Sequence, residues 1–313
     1  MYSIPMTFDR RTFLGATLAA LATGAGARNL PFFERHGLPI GIQFYTLGPD
    51  AAKDFDATLG ALAGIGYRAV ELQGLLGRSG AMLRSSLNAA GLSCTSIHVS
   101  QAQLDDDLAK LADEFAAVGI RTAITPRPYF PERIGTGPTN GENSIEWFRR
   151  ALSQMTADDW KRNAEVLNEK GAALAKWGIK IGYHNHNGEL VPLAGSTGLE
   201  LLIRHTDGRF VTFELDVGWM AAAGRDPAAF LARHKGRIGL LHIKDIAAGS
   251  RPNFALTMEP TEVGSGTLEW TRVLPAAYAA GVRGFYVEQE PPFRRPRLEA
   301  AKISHDYLAK LIA

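Results

Sequence analysis

Ile181-Gly182-Tyr183-His184-Asn185-His186-Asn187-Gly188-Glu189 is the stretch from which the architecture reads most directly. A short apolar run stops on two imidazoles and a carboxylate, so a buried strand here delivers titratable groups to a cavity. Three later segments share the form: Phe210-Val-Thr-Phe-Glu-Leu-Asp216, Ile238-Gly-Leu-Leu-His242-Ile-Lys244-Asp245 and Gly284-Phe-Tyr-Val-Glu288-Gln-Glu290. Four successive strands each finish on a group able to bind a metal.

Outward from these, the chain from Leu38 repeats one unit: an amphipathic helical stretch, a glycine, then an apolar run. The glycines are Gly66, Gly91, Gly119, Gly178, Gly208, Gly236 and Gly281, each placed where a helix C-cap tolerates positive φ. The runs after them are nearly continuous in apolar residues, as in a parallel sheet covered on both faces. With a first strand at 40–44 they make eight. Helical spacing is expected over 51–65, 80–90, 102–118, 157–177, 197–205, 227–234, 268–280 and 298–312. Eight βα units closed on themselves are a (β/α)8 TIM barrel, a single domain over 38–313. A doubly wound open sheet would require a Gly-rich phosphate turn after the first strand, and Phe44-Tyr-Thr-Leu-Gly-Pro-Asp50 is not one.

Of the 313 residues, 46% are hydrophobic and 21% charged, with a net charge of +2. There is no basic stripe interleaved with aromatics, so nucleic acid is not an expected partner. The N-terminus resembles a twin-arginine export signal over residues 1–27: Arg10-Arg11, then Phe13-Leu14, a short apolar run from Gly15 to Ala22, and Ala25-Gly26-Ala27. That run is shorter than the about 20 residues a membrane span needs, so the expected mature protein begins near Arg28, passes through a linker over 28–37 and works in the periplasm. Cys94 is the only cysteine, which rules out an internal disulfide.

One connection is long. Residues 126–156 carry Pro126, Pro128, Pro131 and Pro138 with Tyr129, Phe130, Trp147 and Phe148. Following the fourth strand, they are expected to stand over the catalytic mouth as a lid, or else to pack sideways or serve an oligomer contact. Thr156 and Asp159 form a capping-box pattern for the next helix. Residues 246–266 follow the seventh strand as a second part of the rim. Across their end, Gly264-Ser-Gly-Thr-Leu-Glu-Trp270 lacks the cationic company of a phosphate cradle, so a loop with Thr267 as helix cap is expected.

Catalytic groups of such a barrel stand at the C-terminal strand ends. Strands about 4.8 Å apart can bring His184, Asp216, His242 and Glu288 onto one ion. Two imidazoles with two carboxylates suit Mn²⁺, Zn²⁺, Co²⁺ or Fe²⁺ better than Ca²⁺. Gln43, Tyr45, Glu71, Gln73 and His98 end or follow the first three apolar runs and are candidate substrate contacts, as are Trp219, three residues after Asp216, and Glu290, two after Glu288.

Asp216, His242-Ile-Lys244-Asp245, Tyr183-His-Asn-His186 and Tyr286-Val-Glu288-Gln-Glu290 resemble the xylose isomerase-like barrel superfamily, with its sugar phosphate isomerases and epimerases and its inosose dehydratases. The resemblance implies one divalent ion, often Mn²⁺, held by Glu, Asp, His and Glu from strands five to eight. Asp216, His242 and Glu288 match the last three; His184 stands where epimerases carry glutamate. It further implies removal of a proton next to the carbonyl of a sugar or sugar derivative, with a stabilised enediolate. Glu288 would be ligand and base on one face, and His186, Glu189 or Lys244 would be acid or base on the other. Lys244 alternatively pairs with Asp245 or Glu214. The expected function is therefore a metal-dependent isomerase or epimerase. A lyase expelling a β-substituent from a keto-sugar or keto-glycoside is the alternative, favoured by the His-x-His arrangement, and a non-catalytic periplasmic sugar-binding protein is a third reading. A homo-oligomer is compatible with each.

Overall fold

The computed structural model describes residues 30–139 and 141–313; the expected export signal and the first residues of the linker lie outside them. Eight parallel strands close into a barrel: β1 Gly41–Gln43, β2 Ala69–Leu72, β3 Ser93–His98, β4 Thr122–Thr125, β5 Lys180–His184, β6 Val211–Asp216, β7 Ile238–Ile243 and β8 Gly284–Val287. Each pairs with its sequence neighbours, and β8 returns to β1 through Gly41 opposite Tyr286. The TIM barrel read from the repeated units is the observed fold.

Side chains alternate between the barrel interior and the helical ring, with a period of two. In β5, a Cβ on Gly182 would collide with Ile124 inside the barrel, so Gly182 and His184 face inward. The same phase turns Glu214 and Asp216 of β6 and His242 of β7 inward, together with Lys244 and the pair Glu288 and Glu290 just beyond β7 and β8. Ala69, Ile124, Leu240 and Tyr286 fill the lower interior as one apolar layer. Above that layer the interior turns polar, and the site stands on it.

The helices follow the predicted spacing with altered ends. The segment 102–118 breaks into Gln101–Asp105 and Leu108–Val118, because Asp106 leaves the helical region and Asp107 caps the second piece through Lys110 N. Residues 49–52 form a separate 3-10 turn before the helix Phe55–Ile65. Gly91 and Gly178 cap helices in the left-handed region at φ 68° and 69°, but Gly208 has no such role: Thr206 ends the helix Gly198–His205. The capping box of Thr156 and Asp159 is present.

Residues 32–36, expected to be linker, form a short helix whose Phe32 and Phe33 are buried. Their rings meet Phe285 of β8 at 6.1 and 5.6 Å, and Phe32 N donates to Leu311 O at 2.7 Å. This helix ties the start of the described chain to its end. Among the described residues no helix is long and apolar enough to cross a membrane.

Candidate metal and acid–base site

Two polar layers lie at the C-terminal end of the barrel. In the lower one, three imidazole nitrogens converge on a single carboxylate oxygen. Glu214 Oε2 is 2.9 Å from His98 Nε2, 3.1 Å from His184 Nδ1 and 3.1 Å from His242 Nε2. Glu71 Oε2 reaches across the barrel from β2 to within 2.7 Å of His242 Nε2 and 3.3 Å of His98 Nε2. Glu71 is itself held by Gln43 Nε2 at 2.8 Å and by the Ser96 hydroxyl. Glu214, Glu71, His242 and His184 are all buried.

The upper layer is organised by Lys244. Its ammonium lies 2.8 Å from Asp216 Oδ2 and 2.8 Å from Glu288 Oε2, and it donates to Glu290 Oε1 at 2.5 Å. Burial alone would lower the Lys244 pKa, but the three carboxylates outweigh it and hold the amine charged well above its ordinary range. Gly218 makes the room: a Cβ there would come 2.7 Å from Lys244 Cγ. The imidazole of His242 joins the layers, since its Nδ1 is 3.0 Å from Glu288 Oε2. Burial would raise the Glu288 pKa; Lys244 and His242 reverse that and keep it well below the usual carboxylate range. His184 has the opposite fate, its pKa lowered by burial and by the neighbouring imidazoles. Glu214 is pushed up to about 7, mainly by burial and then by the charge of Glu71.

A cavity of about 630 Å³ opens above these layers, within the range of small-molecule sites. Its floor and walls include His98, His184, His186, Trp219, Glu288 and Glu290. Part of the long connection over 126–156 borders this mouth. Phe130, Trp147 and Phe148 line the cavity, and an unforeseen helix, Ser144–Ser153, carries the last two. The Phe148 ring stands 5.2 Å from the His186 ring, and Arg149 Nε donates to Ala255 O at 2.7 Å, joining the lid to the second rim loop. Asn187 anchors that loop through Asn253 and Leu256 N.

Several expected contacts fall elsewhere. Gln43 and Glu71 do not face the cavity; they are fully buried beneath it and support His242. Glu189 is neither at the surface nor in the cavity. Its oxygens accept from the Tyr183 hydroxyl at 2.9 Å and from His186 N at 3.1 Å, so it positions His186 from behind. Lys244 pairs with neither Asp245 nor Glu214. Asp245 faces the opposite side of the strand, where its carboxylate accepts from Gly264 N, Gly266 N, Leu268 N and Trp270 Nε1 at 2.9–3.2 Å. That carboxylate, not a bound anion, organises the Gly264–Trp270 loop. Thr267 is not the helix cap; its hydroxyl donates to Ile246 O, and Glu269 precedes the helix. His98, Trp219, Glu290, Tyr45 and Gln73 do line the cavity, and Trp219 Nε1 donates to Glu290 Oε1 at 3.1 Å. Glu214 is the site residue that sequence reasoning treated only as an ion-pair partner. The signal for it was its place two residues before Asp216, on the same face of β6.

The donor chemistry fits a divalent cation. Two overlapping groups have ligand atoms within 4.8 Å of one another: His184, Asp216, His242 and Glu288, and His98, His184, Glu214 and His242. Glu214 Oε1 and Asp216 Oδ2 are buried with no hydrogen-bond partner of good geometry, as expected of oxygens reserved for a cation. Asp216 Oδ2 has the Lys244 ammonium beside it, an ion pair too poorly aligned to count as a hydrogen bond.

An inosose dehydratase from Geobacillus kaustophilus is 23% identical over 278 residues, covering 82% of this chain and 87% of that protein. An inosose dehydratase from Lactiplantibacillus plantarum is 30% identical over 167 residues, 49% of this chain, and the match spans only 55% of that relative's length. Among solved structures, a sugar phosphate isomerase/epimerase from Parabacteroides distasonis superposes with a TM-score of 0.69 at 26% identity, over 88% of this chain and 94% of that one. The pattern of the xylose isomerase-like TIM barrel family matches residues 59–311. A closed parallel barrel with that match over most of its length makes this chain a member of the xylose isomerase-like TIM barrel family.

Proposed function

We propose that this protein is a metal-dependent lyase acting on a keto-sugar or keto-glycoside, removing a proton next to the carbonyl and expelling a β-substituent. The observation that supports this is the asymmetry of the cavity. Glu288 and Glu290 face it from the end of β8 with a lysine-neutralised carboxylate cluster behind them. Three strand positions away around the barrel, beyond the end of β5, His186 faces it with an imidazole. Unlike groups on two walls suit elimination, in which one takes a proton and the other gives one to the leaving group. Epimerisation asks one group to take a proton from a carbon and the other to return a proton to that same carbon from the opposite face, and each must do the other's task in the reverse direction.

In this reading Glu288, kept ionised by Lys244 and His242, is the base. His186, whose ring stands 5.2 Å from Phe148 and 5.6 Å from Trp219 and whose backbone N–H is fixed by Glu189, is the acid. Trp219, Glu290 and the lid aromatics orient the sugar and exclude water. His184 and His242, common to both candidate groups, would hold the ion with neighbouring carboxylates. A bound divalent ion would supply Lewis-acid stabilisation of the charge that develops as the proton leaves; Mn²⁺ is the ion we expect first. An isomerase or epimerase shares the first step, and the structural likeness to the Parabacteroides distasonis protein supports it as the second reading.

Incubation with keto-glycosides in D₂O, followed by NMR, separates the two. An unsaturated product supports the lyase, deuterium on an intact skeleton supports the epimerase, and no change with any keto-sugar removes both. We further propose export through Arg10-Arg11; retention of wild-type precursor in the cytoplasm, at the level of an Arg10→Lys, Arg11→Lys variant, would refute it.

A further inference from the structure

The cavity is electrically lopsided. Its carboxylates, Glu288 and Glu290, stand beyond the end of β8, and among the described residues Arg127 is the only arginine or lysine that lines it. Arg127 lies two residues past the end of β4, and β4 is four strand positions from β8 in a closed ring of eight, so the guanidinium and the two acids occupy opposite walls. The arginines of the connection over 126–156 differ in their company. Arg133 pairs with Asp159, Arg149 Nε donates to Ala255 O, and Arg150 Nε lies 2.7 Å from Glu142 Oε1. The Arg127 guanidinium has no acidic partner and no hydrogen-bond acceptor among the described residues; only its backbone carbonyl is engaged, accepting from Gln101 Nε2 at 2.8 Å. Partial desolvation lowers its pKa, and the one group opposing that is the Tyr45 phenol, which also lines the cavity.

The guanidinium is held ready for a ligand. Pro126 and Pro128 flank Arg127, and a residue before proline is confined to extended backbone. Its Cζ stands 4.8 Å from the centre of the Phe148 ring and 5.9 Å from that of Trp147. Stacking of this kind occupies the face of a guanidinium and leaves its N–H edge free. Resting on the reading of the cavity as a keto-sugar site, we propose that Arg127 determines specificity: its free edge receives a carboxylate carried by the sugar, which makes the substrate a keto-uronate or a glycoside of one. A fork of donors with no acceptor of its own matches the two oxygens of a carboxylate and forms two parallel ionic hydrogen bonds, against the single one that a neutral hydroxyl accepts. A phosphate fits less well, because its second charge would find no other arginine or lysine in the cavity and would face Glu288 and Glu290. The same polarity orients the sugar. With its carboxylate at the β4 wall, the remainder of the ring extends toward β8, where the proton is removed, and the like charges of substrate and base stay at opposite ends.

The test is titration calorimetry of the full-length protein, with Mn²⁺ present, against glucuronate and galacturonate, each beside its uncharged amide, and against glucose 6-phosphate. At least one uronate should bind the wild type about tenfold or more tighter than its amide. That ratio should fall to about one in Arg127→Met and recover in part in Arg127→Lys, which restores the charge without the fork. Equal binding of uronates and amides by the wild type, or no binding of either, overturns the proposal. So does a preference that survives Arg127→Met, because the carboxylate is then held elsewhere, and so does a loss of uronate and amide alike, because Arg127 then only props the Phe148 and Trp147 rings. Arg127-dependent binding of glucose 6-phosphate tighter than either uronate overturns the choice of carboxylate. The two readings fail separately. Turnover of neutral keto-glycosides by a wild type with no uronate preference keeps the lyase and removes this role of Arg127, while Arg127-dependent uronate binding without turnover of any keto-sugar does the reverse.

Discussion

At the scale of single residues, the fate of Lys244 separates this site from a plain ring of strand-end ligands. A fully buried ammonium bound by three carboxylates is costly to bury and more costly to break, because removing one partner leaves uncompensated charge. Lys244→Met should therefore cost about 3–5 kcal/mol of stability at neutral pH, measured by urea denaturation. A loss under about 1 kcal/mol would mean the three acids are stabilised by something else. The same variant should move the acid limb of the pH–rate profile upward. Lys244 helps hold Glu288 below the usual carboxylate range, so without the ammonium Glu288 takes up its proton at higher pH and the base is lost earlier on acidification. An unmoved limb would remove Glu288 from the role of base.

At the scale of elements, strands and helices were legible because most strands are buried apolar runs following a helix-ending glycine, β6 and β7 being preceded by helices that end at Thr206 and His234 instead. His184, Asp216, His242 and Glu288 were legible because they end such runs. Period-two alternation would also have shown Glu214, the inward-facing partner of Asp216, as it pairs Glu290 with Glu288. Glu71 against His242 was not legible: β2 and β7 lie far apart in sequence, and only barrel closure brings that oxygen within 2.7 Å. The turning away of Asp245 from Lys244 follows from the same alternation, but its four loop contacts depend on where 264–270 returns. Those contacts are testable. Asp245→Ala would leave the buried Trp270 indole and the solvent-accessible or half-buried Gly264, Gly266 and Leu268 amides without their acceptor, a loss of about 1–3 kcal/mol carried mainly by the indole. Fast hydrogen exchange across 264–270 should accompany it, with β7 still protected. Unchanged exchange in that loop would show that Asp245 does not organise it.

At the scale of the whole molecule, the barrel closes around a set of acids that needs positive charge from some source. Protons supply it when no ion is bound. Burial alone would lower the His98 pKa, but Glu71 and Glu214 outweigh it and push it up to about 10. A histidine whose folded pKa lies above its ordinary 6.5 stabilises the fold fully below pH 6.5, and that stabilisation is lost as pH rises toward 10. Glu214, raised to about 7, acts in the same direction, because above that pH the folded barrel must hold its charge. The thermal midpoint of chelator-treated protein should therefore fall steadily from pH 6.5 to 9. A divalent ion replaces those protons, so saturating Mn²⁺ should raise the midpoint more at pH 8.5 than at pH 6, by mass action on the folded state. Calorimetric scans at both pH values, with and without Mn²⁺, check the sign. A chelator-treated midpoint that stays flat or rises would mean the buried acids are balanced within the barrel, and would leave the cation without its electrostatic reason to bind.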